Sequence, residues 1–63
     1  MKTTNESQVS ERWRVRVELS DGMFTCCTFH SANEVPIQAV RNSEDVAKWV
    51  KQTGGKIDEI YPC

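Results

Sequence analysis

A chain of 63 residues and 7.2 kDa has room for one domain around one small core, which argues against a deep active-site cleft or a second domain closing over one. Hydrophobic residues make up 38% and charged residues 27%, and eight Lys and Arg stand against nine Asp and Glu for a net charge of -1, the balance of a soluble globular chain. No apolar run approaches the roughly 18 residues of a membrane span. The segment Met1 to Ser10 lacks the apolar stretch of a signal peptide, so a cytoplasmic protein with no membrane partner is expected.

Three cysteines, Cys26, Cys27 and Cys63, are an odd number and two are adjacent, which argues against a disulfide framework. The single histidine, His30, and the lack of a CxxC pair argue against a metal site, and no cofactor is expected. Cys27 and His30 stand three apart in a strand-like run, on opposite faces, so they make a poor nucleophile and base pair. No catalytic set is expected.

The stretch Met1 to Glu11 has only Met1 and Val9 as apolar members and reads as a disordered tail, with a single α+β domain over 12–63. From Arg12 onward, Trp13, Val15, Val17 and Leu19 alternate with Arg12, Arg14, Arg16 and Glu18, the period of a half-buried strand with one apolar and one cationic face. Ser20-Asp21-Gly22 is a hairpin signal. The second strand, from Met23, has apolar residues on both parities. A two-residue turn would place Phe24, Cys26 and His30 opposite Leu19, Val17 and Trp13. A three-residue loop with Gly22 at a bulge would instead face Met23, Cys27 and Phe29 toward Leu19, Val15 and Trp13. The second register is preferred because it sets Phe29 against Trp13.

Val35-Pro36-Ile37-Gln38-Ala39-Val40 restores alternation after Ser31-Ala32-Asn33-Glu34, and Pro36 restricts it to an edge, as a bulged continuation of the second strand or a short strand of its own. Ser43 with Glu44 and Asp45 is a helix start. The helix continues with Val46, Ala47, Trp49, Val50 and Thr53 on one stripe, and Gly54-Gly55 ends it. Lys56 to Tyr61 reads as the last strand. The expected fold is a small two-layer α+β domain in the order β-β-α-β. One helix packs on a three-stranded, mainly antiparallel sheet (four-stranded if the Val35 segment forms its own strand) with strand order 2-1-3. The expected core is Trp13, Val15, Val17, Leu19, Ile37, Val46, Trp49, Val50 and Ile57.

With the helix on one face, Arg12, Arg14 and Arg16 project from the other, spaced about 7 Å apart along the strand. They form either a solvated face with arginines paired to Glu18, Asp58 or Glu59, or an anion-recognising surface for acidic protein or nucleic acid. Phe24 or Phe29, Tyr61 and His30 are the residues that could add stacking. Asp58 and Glu59 in a strand mark an exposed edge, a second contact surface or a guard against strand addition.

Glu34-Val35-Pro36-Ile37-Gln38-Ala39 resembles the segment that enters the helix in the family of small T-seven-type coliphage inhibitors of bacterial RNA polymerase. The likeness extends to Glu44, Asp45, Trp49, Gly55 and Pro62-Cys63. It covers about thirty residues, from Glu34 to Cys63, with one short gap before Gly55, while the first half matches only as a strand with an aromatic start near Trp13. The resemblance implies a non-enzymatic phage protein that binds a host enzyme and blocks it; the expected partner is a bacterial host protein in the host cytoplasm, RNA polymerase or a defence enzyme. In that family two arginines of the last strand are important for the polymerase contact; here the matching positions are Glu59 and Tyr61. Arg12, Arg14 and Arg16 could supply cations to the same face instead. The expected partner-binding residues are therefore Arg12, Arg14, Arg16, Asp58, Glu59 and Tyr61, on a monomer or weak dimer, with a nucleic-acid-binding module as the alternative.

Overall fold

A computed structural model describes residues 8–63. The elements are β1 (Val9–Glu18), β2 (Phe24–Pro36), α1 (Ile37–Arg41), α2 (Glu44–Thr53) and β3 (Lys56–Pro62). The sheet has three strands in the order β2-β1-β3, with β1 antiparallel to both neighbours. The two-layer α+β class and the strand order expected from the sequence are those of the structure. The expected tail over 1–11 lies outside the described residues for 1–7, and at its other end β1 begins at Val9, before Arg12.

The hairpin takes the three-residue loop. The Leu19 N–H donates to the Met23 carbonyl at 2.8 Å and the Gly22 N–H to the Leu19 carbonyl at 3.0 Å, with Gly22 at φ 86°. This is a tight turn closed by a glycine in the left-handed region. The register then pairs Val17 with Thr25, Val15 with Cys27 and Trp13 with Phe29. Cys27 and Phe29 are half-buried toward the helices, whereas Cys26 is exposed on the other side. Met23 pairs across the hairpin end as expected but remains 63% exposed.

The Val35 segment departs from the expectation. Val35 and Pro36 finish β2 opposite Ser10 and Val9 after a register shift, and Ile37–Arg41 turns into the short helix α1. The alternation of Val35, Ile37 and Ala39 suggested a strand, but Ile37 and Val40 are the residues that become buried, a spacing of one helical turn. At the register shift Trp13 holds the strands together. Its indole N–H donates to the Ser10 carbonyl at 3.1 Å and to the Val35 carbonyl at 3.0 Å.

Ser43 caps α2 by accepting from the Val46 N–H, Glu44 and Asp45 lie in the first turn, and Gly54 at φ 74° ends the helix. Of the expected stripe, Val46 is buried and Trp49, Val50 and Thr53 are half-buried, while Ala47 is exposed. The core is Trp13, Val15, Val17, Ile37, Val40, Val46 and Ile60. Ile57, expected inside, is 41% exposed, and Ile60 takes the buried place on β3. An irregularity in the β1–β3 pairing between Arg16 and Val17 sets Val15 opposite Ile60 and Val17 opposite Ile57, with Asp58 the extra residue on β3, so both isoleucines share the core side and Ile57, near the start of β3, lies at its exposed end. No helix among the described residues is long and apolar enough to cross a membrane.

Candidate functional site

The face of the sheet opposite the helices is built by register alone. Alternation along β1 sends Trp13, Val15 and Val17 into the core and Arg12, Arg14, Arg16 and Glu18 to the other side. Pairing then places side chains beside each of these. His30 stands opposite Arg12, Thr28 and Tyr61 opposite Arg14, Cys26 and Glu59 opposite Arg16, and Phe24 and Lys56 opposite Glu18. Beyond Pro62, the Cys63 N–H donates to the Arg12 carbonyl at 3.1 Å, continuing the ladder. All six expected partner-binding residues, Arg12, Arg14, Arg16, Asp58, Glu59 and Tyr61, therefore sit on or at the margin of one face.

The arginines differ in what holds them. Arg16 is engaged twice by the carboxylates beside the β3 irregularity. Its Nε and Nη2 donate to Asp58 Oδ2 at 2.8 and 2.6 Å, and its Nη2 lies 3.5 Å from Glu59 Oε1. The extra residue on β3 is what lets two consecutive acids reach one cation. The Asp58 hydrogen bond, with the charges of Asp58 and Glu59, raises the Arg16 pKa against an opposing desolvation. The guanidinium also lies over the Phe24 ring, 5.0 Å from its centroid.

Arg14 meets softer partners. Hydrogen bonds to the Cys63 and then the Cys26 side chain raise its pKa, with a smaller contribution from Tyr61. Among the described residues, neither Arg12 nor Arg14 forms an ion pair with a carboxylate. The face is thus divided along β1. Its Arg12 and Arg14 end is cationic and bordered by Tyr61 and His30, while at its Arg16 and Glu18 end the acids outnumber the free cations. The ion-paired reading of the arginine stripe describes the Arg16 end alone.

Sequence reasoning did not place Cys26 and Cys63 around Arg14, nor Phe24 under Arg16. Cys26 and Phe24 follow from the hairpin register, because they share the parity that faces the arginines once Cys27 faces the core, and Cys63 follows from its bond to Arg12 beyond the end of β3. Cys27 itself has its pKa raised, first by burial and then by Cys26, with Arg14 opposing. A groove of about 270 Å³ between β2 and α2 is lined by residues that include Cys27, His30 and Asp45. Among the described residues, no cluster of three or more His, Cys, Asp or Glu side chains is placed to hold a metal ion. Comparison of the chain with known protein families, with curated proteins and with solved structures finds no match.

Proposed function

We propose that this protein is a non-enzymatic binding module that occupies the surface of another protein with the open face of its sheet. The observation that supports this is the gathering of Arg12, Arg14, Arg16, Asp58, Glu59 and Tyr61 on one face of the sheet, with neither Arg12 nor Arg14 ion-paired to a carboxylate among the described residues. Guanidinium groups with no ion pair among the described residues, beside the half-buried Tyr61 and with the exposed Phe24 farther along the same face, suit a partner that supplies carboxylates and apolar contact, since Arg and aromatic residues dominate the energetics of such surfaces. The likeness of Glu34 to Ala39 to the coliphage inhibitors supplies the biological setting: a phage-encoded inhibitor that binds and blocks a bacterial host protein, with RNA polymerase the first candidate.

The test is affinity capture of bacterial proteins on the immobilised full chain, run beside a direct assay on purified bacterial RNA polymerase. A stoichiometric complex is expected, identified by mass spectrometry and weakened tenfold or more by the double substitution Arg12→Glu, Arg14→Glu. A complex that the double substitution leaves intact would remove this face from the reading. Binding to RNA or DNA that falls steeply with added salt, without a protein partner, would establish the nucleic-acid alternative instead.

A further inference from the structure

The two edges of the sheet are unlike. The β3 edge carries Lys56, Asp58 and Glu59, a pairing irregularity and a closing Pro62, the devices that discourage strand addition. The β2 edge carries none of these over most of its length. From Phe24 to Asn33 it has no Lys, Arg, Asp, Glu or Pro, it pairs evenly with β1 as far as His30, and Thr, Cys and Phe dominate it. The phase of the ladder shows which backbone groups this edge presents. Leu19 bonds to Met23, so the odd-numbered residues of β1 bond toward β2; Arg12 accepts from Cys63, so the even-numbered ones bond toward β3. On β2, the N–H and C=O groups of Phe24, Cys26, Thr28 and His30 therefore point outward.

Beside this edge, on the helix side, lies the groove of about 270 Å³, whose apolar lining comes from Cys27 and Phe29 of β2 and Val46 and Trp49 of α2. We infer that the β2 edge binds a second copy of this chain, β2 against β2 in antiparallel register about a twofold axis at Thr28. That register sets Thr28 against Thr28 and Cys26 against His30 as hydrogen-bonded pairs. On the helix side it sets Phe29 of each copy against Cys27 of the other, large against small, so each Phe29 faces the partner copy's groove. An uncharged edge and a net charge of -1 per chain leave little repulsion between copies.

One strand pair and two phenylalanines bury less than the roughly 800 Å² per partner of a standard interface, so a reversible dimer with a Kd on the order of 100 µM is expected. The twofold axis stands perpendicular to the sheet and turns both arginine faces the same way. The dimer then presents them as one six-stranded surface.

Sedimentation equilibrium of the full chain under a thiol reductant tests this. Wild type should show a concentration-dependent monomer–dimer equilibrium, and isotope-filtered NMR on mixed labelled and unlabelled chain should show contacts between Phe29 of one copy and Cys27 of the other. Thr28→Pro removes an outward N–H that β1 does not use, and Thr28→Lys sets two charges against each other at the axis. Each should weaken dimerisation tenfold or more with an unchanged circular dichroism spectrum, and the lysine variant decides if the proline variant does not fold. A chain that stays monomeric to about 1 mM, or a dimer that Thr28→Lys leaves intact, overturns the inference.

Discussion

Trp13 joins the core to the weakest point of the sheet. Its ring is fully buried, and its indole N–H serves the Ser10 and Val35 carbonyls where the β1–β2 register shifts. Replacing it by Phe keeps most of the apolar burial but leaves both carbonyls without that donor, at a cost of about 1–3 kcal/mol. Trp13→Ala adds a cavity and should cost about 3–5 kcal/mol, enough to unfold much of a domain this small. Urea denaturation of the two variants checks the order. The cysteines form a second test at this scale. Cys27 is half-buried with a raised pKa, and Cys26 and Cys63 are exposed. A raised pKa leaves less thiolate at neutral pH, so Cys27 should be alkylated last by iodoacetamide, its rate rising as the pH is raised. Peptide mass spectrometry over a time course reads this, and equal rates at Cys26 and Cys27 would contradict the register.

At the scale of elements, two glycines near the end of β1, Gly22 and Gly55, carry different demands. Gly22 closes the hairpin at φ 86° with nothing within 4 Å of an added Cβ, so Gly22→Ala should cost only the left-handed backbone penalty of about 1–2 kcal/mol. Gly55 has no such φ but lets the chain leaving α2 press against the end of β1. A Cβ there would run into the Glu18 carbonyl oxygen and lie 2.7 Å from Val17 Cγ1. The obstacle is backbone, which cannot move aside without disturbing the strand, so Gly55→Ala should destabilise more than Gly22→Ala in parallel thermal melts. The other element to show its logic is β3. Ile57 and Ile60 are three apart, which no regular strand can put on one face. An extra residue on β3, Asp58, opposite the Arg16–Val17 step resolves the conflict, setting Ile60 opposite Val15 and Ile57 opposite Val17 and bringing both Asp58 and Glu59 to Arg16.

For the molecule as a whole, seven buried apolar residues drawn from β1, α1, α2 and β3 form one cluster. A single cooperative unit is expected, with an unfolding free energy of about 3–9 kcal/mol for a chain of this length. Fluorescence of Trp13 and Trp49 and far-ultraviolet circular dichroism should therefore give coincident urea transitions. Two separated transitions would show that the helices and the hairpin fold independently. The open arginine face contributes little to this stability, because exposed ion pairs such as those of Arg16 are weak. Arg16→Ala should leave the denaturation midpoint close to wild type, and that separation from stability lets the face be altered to test binding.

The strictly alternating run from Arg12 to Leu19, the capped helix at Ser43 and the Asp-Gly hairpin were legible in the amino-acid sequence, because each is a local pattern whose physics acts within a few residues. From these the two-layer α+β architecture and the strand order followed. The sequence narrowed the hairpin register to two choices, and the bonds of Leu19 with Met23 and Gly22 decide it. Three other features were set only by tertiary structure. These are the turn of Ile37–Arg41 into a helix, the exchange of Ile57 for Ile60 in the core, and the division of the arginine face into a neutralised and an uncompensated end. Each depends on which segments far apart in the chain come to pair and pack. A one-residue slip there costs nothing locally, yet it changes which side chains meet, so only the packed sheet selects it.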